Sequence, residues 1–422
     1  MKKLTLLFCT LLAISYLGYS RPEYSILQSY GTKCSNCHVN IQGGGERTLG
    51  GWMSRNQTSI IDPSTIGIGK IYDFLQNTNQ AWNGKITYGL DFRWEDARWG
   101  YQEVVQQRNP PLTDTVLSKP LRDNMIMQFD PYLSIKPFDF LELEGFYNFA
   151  YDIEQFKRYP GQQPYAFSIK VKPADYLPEL RVGYFQPEIG TKWDDHSLLV
   201  RQVIGSSRSS LLIPDDYAEW GAELDYESIP WLGVGLGVFD SKVMKNLTLP
   251  NQTGSSIPVV SGNTTSLFFK LAFYPPEWIP GFTNFFGGYF MINSPLKTDN
   301  GIYFANNYYA IGDLFFNIGM TDKFALMTEY MWSKKEDLRT TNNLSFELTY
   351  QPLDAAYVYA RYEVGNTDYL PVSTSYHANQ YVLGTKIFLL PYIALIPEYR
   401  VFDRANVPGY FAEWAFQLHI FY

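Results

Sequence analysis

The sequence predicts an all-β fold, a closed barrel of about sixteen antiparallel strands that crosses a membrane. Three observations predict it. From Trp82 to the last residue, apolar and polar side chains alternate through one segment after another. Short connections with turn chemistry alternate with long ones. The composition is rich in rings, with 33 Tyr, 29 Phe and 10 Trp, yet the mean hydropathy is negative. A wall with lipid on one side and water on the other needs that mixture.

In chain order, residues 1–20 are expected to be a cleavable export signal. Lys2 and Lys3 precede the apolar run Leu4 to Leu17, and Gly18 and Ser20 place small residues where a signal peptidase reads. The run is short for a membrane anchor, and no later stretch is long and apolar enough for a membrane helix. Cleavage removes the two lysines and moves the formal charge from −8 to −10, which argues against a nucleic-acid partner. Two cysteines remain after cleavage, Cys34 and Cys37, too few for a disulfide framework in a chain of this size.

Residues 21–80 form a separate segment with little alternation, and a short helix is expected near Tyr24–Tyr30. About sixty residues cannot build a substantial core alone. Residues 81–422 are the barrel. Met127 to Lys136 places Phe129, Leu133 and Ile135 on one face and Gln128, Asp130 and Ser134 on the other. Leu141 to Ile153 reads as another alternating strand, as do Tyr165–Val171, Leu267–Phe273, Phe324–Trp332 and Leu344–Tyr350. Lys136–Asp139, Ser228–Pro230, Gly319–Asp322, Gln351–Asp354 and Leu390-Pro391 carry turn residues. An even strand count with this pattern puts both barrel ends on the short-turn, periplasmic side. The last strand alternates Trp414, Phe416, Leu418, Ile420 and Tyr422 to the final residue. That ending resembles the targeting signature of outer-membrane proteins.

The chemistry sits in Cys34-Ser35-Asn36-Cys37-His38. This is the C-x-x-C-H spacing of covalent haem attachment: two thiols take the two vinyl groups and the adjacent imidazole ligates iron. A thioredoxin-like pair would need a βαβ setting that this chain lacks. The group is therefore one haem c, with His38 as proximal ligand. Met53 is a candidate distal ligand, and its other reading is a packing residue beside Trp52. His196, in the long 187–216 connection, could reach a haem in the lumen if that connection folds inward. His377 and His419 are weaker candidates. Arg47 and Arg55 are candidate propionate partners, and Gly43 to Gly45 could let backbone approach the porphyrin.

The predicted inward positions are acidic. Asp91, Glu95, Glu142, Glu144, Asp152, Glu219, Glu223, Asp225, Glu347 and Glu413 outnumber the inward Lys and Arg, so the lumen should attract cations.

An export signal, one CSNCH near the mature N-terminus and an aromatic-ending barrel together resemble the fused monohaem cytochrome–porin proteins of iron-oxidising bacteria, the outer-membrane iron oxidases. Residue by residue the likeness covers Cys34 to His38 and the approach Tyr30-Gly31-Thr32-Lys33. It implies that the haem segment plugs the lumen or its periplasmic mouth. It also implies electron flow from extracellular Fe(II) to a periplasmic c-type cytochrome, an Fe(II):cytochrome c oxidoreductase activity in the outer membrane. Trp193-Asp194-Asp195-His196, following Val182 to Phe185, also looks like the constriction loop of anion-type specific porins. It offers Arg201 and Arg208, but an acidic lumen does not suit an anion pore. The alternative reading is a cation-preferring channel whose haem segment is a plug or gate.

Overall fold

The computed structural model describes residues 59–78, 80–99, 103–108, 112–117, 122–153, 164–187, 189–191, 197–205, 210–212, 218–240, 265–276, 279, 282–293, 309–320, 323–335, 339–353, 355–370, 373–404 and 410–422. Cys34, Cys37, His38, Arg47, Met53, Arg55, His196 and Arg208 lie outside these residues, as do the proposed signal and the Tyr24–Tyr30 helix.

Sixteen strands form the wall. They are β1 (Ile86–Trp99), β2 (Arg122–Phe138), β3 (Leu141–Tyr147), β4 (Tyr165–Val171), β5 (Glu179–Phe185), β6 (Glu219–Tyr226), β7 (Leu232–Asp240) and β8 (Thr265–Phe273). They continue as β9 (Phe282–Asn293), β10 (Tyr309–Met320), β11 (Phe324–Lys335), β12 (Arg339–Leu353), β13 (Ala356–Tyr369), β14 (Thr374–Leu390), β15 (Ile393–Arg404) and β16 (Tyr410–Phe421). Each pairs antiparallel with the next, and β16 pairs back with β1 from Phe421↔Asp91 to Glu413↔Trp99. The sheet is closed. Closure gives every strand two partners, which a lipid-facing backbone requires because no water can satisfy an open edge.

The seam is tight at the short-turn end. Leu90 N–H donates to the Tyr422 carbonyl at 2.8 Å, and Tyr422 N–H returns a bond to the Leu90 carbonyl at 2.7 Å. The Tyr132 hydroxyl donates to the same Tyr422 carbonyl. Gly89 lets these groups meet, because a Cβ there would overlap both the carbonyl and the Tyr132 ring.

Short turns join β2 to β3, β6 to β7, β10 to β11, β12 to β13 and β14 to β15, where turn residues predicted them. The longer connections lie at the other end. Alternation along each strand divides the wall into two faces. On β10, Leu314 and Phe316 are exposed while Asp313, Phe315 and Asn317 are buried. Leu236, Val238, Leu267, Phe269, Phe346 and Leu348 share the outer face, with Trp220, Tyr362, Tyr381 and Trp414 also exposed.

One predicted strand is shorter than expected. The alternation from Leu141 to Ile153 suggested a single strand, but β3 stops at Tyr147 and Ala150–Ile153 is a helical turn, α2. Asn148 is the cause. Its side-chain oxygen accepts from Ala150 N–H at 2.9 Å and Phe129 N–H at 3.2 Å, offering the backbone an alternative to the ladder. Asp152 therefore does not line the lumen as predicted; it sits on this turn and accepts the Tyr147 hydroxyl at 2.8 Å.

Before the barrel, residues 59–78 run along its short-turn mouth. An Asx turn starts them: Ser64 N–H donates to the Asp62 carboxylate at 2.9 Å, which holds that carboxyl below its usual range. Helix α1 (Gly69–Thr78) follows. Ile60 N–H donates to Phe388 and Ile61 N–H to Leu389, at 2.9 and 3.1 Å, and the Tyr422 hydroxyl donates to the Leu75 carbonyl at 2.7 Å. Ile68 and Tyr72 pack with Tyr357, Phe388, Tyr392 and Phe421. Tyr72 stacks on Tyr392, ring centroids 6.2 Å apart.

Candidate functional site

The candidate site is the lumen, the predicted place of transit or of a bound group. Its inner wall has two characters. On β12–β16 and β1 it is ionic. Arg400 holds Glu398, Glu413 and Glu95 at 2.5, 2.8 and 3.1 Å, and the Tyr359 hydroxyl donates to Glu398. Arg361 pairs with Glu363 and Glu347 at 3.1 and 3.4 Å. Asp91 faces His419 at 3.0 Å and Arg93 at 3.5 Å. On β3–β5, Glu144 bridges Arg181 and Lys170 at 2.6 and 3.1 Å. Asp91, Glu95, Glu144, Glu347 and Glu413 sit on the inner face, where alternation predicted them, because period two fixes which face a side chain takes.

Among the described buried residues, thirteen carboxylates stand against seven Lys and Arg. The predicted acid excess is therefore present, although several of the carboxylates are already tied into ion pairs.

The wall on β7–β11 is different. Phe239, Phe268, Phe285, Tyr289, Met291, Phe315 and Met331 point inward and form one apolar cluster. An all-polar inner face was the simpler expectation. The sequence does carry a signal for it: the doublets Phe268-Phe269, Phe285-Phe286 and Phe315-Phe316 break the alternation. In each doublet the first ring is buried inside and the second is exposed outside.

The connection between β5 and β6 covers this inner apolar wall. Ile189, Leu198, Val200, Val203 and Leu212 from that connection belong to the same cluster. Polar bonds pin it to the neighbouring strands as well. The Asn343 amide donates to the Val200 and Gln202 carbonyls at 2.9 and 2.6 Å. Val200 N–H donates to Glu363 at 3.2 Å, and Ile204 N–H to the Thr367 hydroxyl at 2.9 Å. The described residues of the connection therefore pack inside the barrel, while Trp193-Asp194-Asp195-His196, on which the likeness to a constriction loop rested, lie outside the described residues.

Arg201 does not line a passage. It is 1 % exposed, turned toward the wall, and its Nη1 donates to the Ile189 carbonyl at 3.1 Å. It faces Glu329 across Gly190: a Cβ on that residue would lie 2.6 Å from Arg201 Nη1 and 2.9 Å from Glu329 Oε1. Glu329 also accepts Thr191 Oγ1 at 2.7 Å. Arg201 is an anchor for the loop.

Of the histidines singled out, two fall among the described residues. His377 is on the exposed face of β14, and His419 is buried inside. No group of three or more His, Cys, Asp or Glu suited to a metal ion occurs among the described residues.

Comparison with solved structures agrees with this architecture. The chain is similar to OprB of Pseudomonas putida, with 10 % identity, TM-score 0.53, and 86 % of this chain and 98 % of that one covered. It is similar to Salmonella typhi OmpF, solved with daunomycin, with 10 % identity, TM-score 0.51, and 81 % and 100 % covered. The fold is that of the outer-membrane porins. Identities this low carry the fold alone. Neither a protein-family profile nor a curated protein sequence matches the chain.

Proposed function

We propose that this porin-like barrel is an outer-membrane electron-transfer protein, exchanging electrons between an extracellular donor, Fe(II) by the family resemblance, and a periplasmic c-type cytochrome. A haem c bound through Cys34 and Cys37, with His38 on its iron, would supply the one-electron redox couple. Met53 and His196 stand as sequence-based candidates for the opposite ligand, and Arg47 and Arg55 for the propionates.

The observation that carries this reading is the joint presence of CSNCH and a closed barrel in one chain. A membrane offers no redox path across its apolar band of about 25 Å. The chain's own residues support a device for that barrier. The segment that follows the haem motif is bonded to the short-turn mouth through Ile60, Ile61 and Leu75. The inward loop and its apolar seat occupy lumen space that an open pore would leave to water.

A second reading, a cation-preferring channel plugged by the haem segment, is favoured by the carboxylate excess of the lining. Full-length protein in liposomes separates the two. Rapid haem reduction by external Fe(II) with little ion leak is the result expected of the conduit. Cation flux without reduction of the haem from outside would overturn it in favour of the channel.

A further inference from the structure

The segment between the haem motif and the barrel carries more apolar surface than its docking uses. Tyr72 and Ile68 pack into the mouth of the barrel. Ile60, Ile66 and Ile71, from the same stretch, are 53 %, 53 % and 56 % exposed. Ile71 lies one turn from Phe74 and Leu75, and Phe74 is exposed as well, so α1 carries an apolar strip apart from the docked Tyr72. A polar substitution at these positions would satisfy solvent; three exposed isoleucines among the five in residues 60–71 point to something that covers them.

The chain itself indicates what does. Residues 21–58 precede this stretch and carry Cys34, Cys37 and His38. His38 is separated from Ser59 by twenty residues, and Ser59 enters the barrel mouth beside the Ile60–Phe388 bond. Fewer than forty residues have too little apolar content to enclose a porphyrin unaided, which is why chains of that size depend on a cofactor or a neighbour. A haem exposes a large apolar macrocycle. The nearest apolar surface in sequence that is not used for docking is the one formed by these isoleucines.

We propose that Ile60, Ile66 and Ile71 form the seat of this chain's own haem-bearing segment, covering one edge of the porphyrin attached at Cys34 and Cys37. This rests on the haem reading given above. On this view α1 is a two-sided spacer, with Tyr72 gripping the barrel and Ile71 meeting the haem segment. The seat fixes the group at the short-turn mouth, on the side where a periplasmic carrier would dock.

The test uses full-length protein with Ile66→Asp and Ile71→Asp combined, beside Ile66→Val and Ile71→Leu combined. Haem staining after denaturation, the reduction potential and the visible spectrum are read on each, and heat-modifiable gel mobility reports the barrel. The acidic pair should keep covalent haem and an intact barrel. Its reduction potential should fall, because water reaching the porphyrin favours the oxidised, more charged state, while the conservative pair keeps the parental value. An unchanged potential and spectrum in the acidic pair would overturn the seat and leave the haem reading standing. So would a variant that alters only affinity for an added periplasmic cytochrome. A parent chain without covalent haem would overturn both.

Discussion

Single residues hold the lumen in its shape, and two of them give sharp expectations. Gly190 takes φ +94°, a conformation open to glycine, and has no room for a side chain between Arg201 and Glu329. Gly190→Ala should strain the backbone by about 1–3 kcal/mol and push the inward loop off its anchor. Faster proteolysis within 186–212, with the barrel still resistant, is the expected readout; unchanged cleavage would mean the loop does not depend on this contact. Arg400 is the second. Its guanidinium is the shared partner of Glu95, Glu398 and Glu413. Arg400→Met leaves three buried carboxylates facing one another and should cost roughly 3–5 kcal/mol. The loss should appear as barrel unfolding at a lower temperature in heat-modifiability gels, and a stability equal to the parent would refute the assignment. The sign follows from burial: a surface arginine removed in this way would scarcely register.

At the scale of elements, the inward loop and the α1 segment are held by different physics. The loop combines apolar contact with hydrogen bonds from fixed wall side chains. Asn343 contributes more of the latter than any other single side chain, its amide donating toward the Leu199, Val200 and Gln202 carbonyls. Asn343→Asp swaps the donor for an acceptor facing those carbonyls and should cost about 1–3 kcal/mol locally. A larger ion conductance, with gel mobility unchanged, is the outcome expected. The α1 segment is held by tyrosines instead. Burial raises the proton affinity of Tyr72, and burial with the neighbouring Tyr422 and Tyr72 hydroxyls does the same for Tyr392. A raised value in the docked state means docking is complete below the ordinary tyrosine value of about 10. It weakens as pH climbs above that toward the raised values. Tyrosinate absorbance should therefore rise together with release of residues 59–78 to protease in alkali. Tyr72→Phe, which removes one titrating group, should move that release to higher pH.

The same elements show what was legible in the sequence and what was not. Strands β11, β12 and β16 could be read directly, since alternation runs through Phe324–Trp332, Leu344–Tyr350 and Trp414–Tyr422. The end of β3 could not, because the apolar spacing runs on through Ile153 and only the Asn148 side chain interrupts the ladder. The inner apolar wall was half legible: adjacent phenylalanines violate period two, but nothing local says that a distant loop will cover the inward ring. Arg201 was misleading for a related reason. A loop arginine suggests a charged constriction, and the direction it faces depends on Gly190 and Glu329, far apart in sequence.

For the whole molecule, the remaining question is whether the two parts of the chain depend on each other. The barrel closes through its own ladder, from Phe421↔Asp91 to Glu413↔Trp99, and its inner ion pairs and aromatic cluster lie within residues 86–422. Nothing in that network requires a thioether. Residues 21–58 are in the opposite position, because a stretch so short needs a group or a wall to give it apolar contacts. Dependence should therefore run one way. Cys34→Ser and Cys37→Ser together should abolish haem staining after denaturation, while the barrel keeps its heat-modifiable mobility and its unfolding temperature. Persistent staining would refute covalent attachment at CSNCH. A barrel that failed to form without the haem would refute the one-way dependence and make the cofactor part of the folding nucleus. If both expectations hold, the Cys34→Ser, Cys37→Ser barrel becomes the cleanest test of the lumen's lining. Among the described buried residues carboxylates outnumber Lys and Arg, so the haem-free barrel should conduct cations in preference to anions, and more steeply so at low ionic strength, where charges in the lumen are screened least.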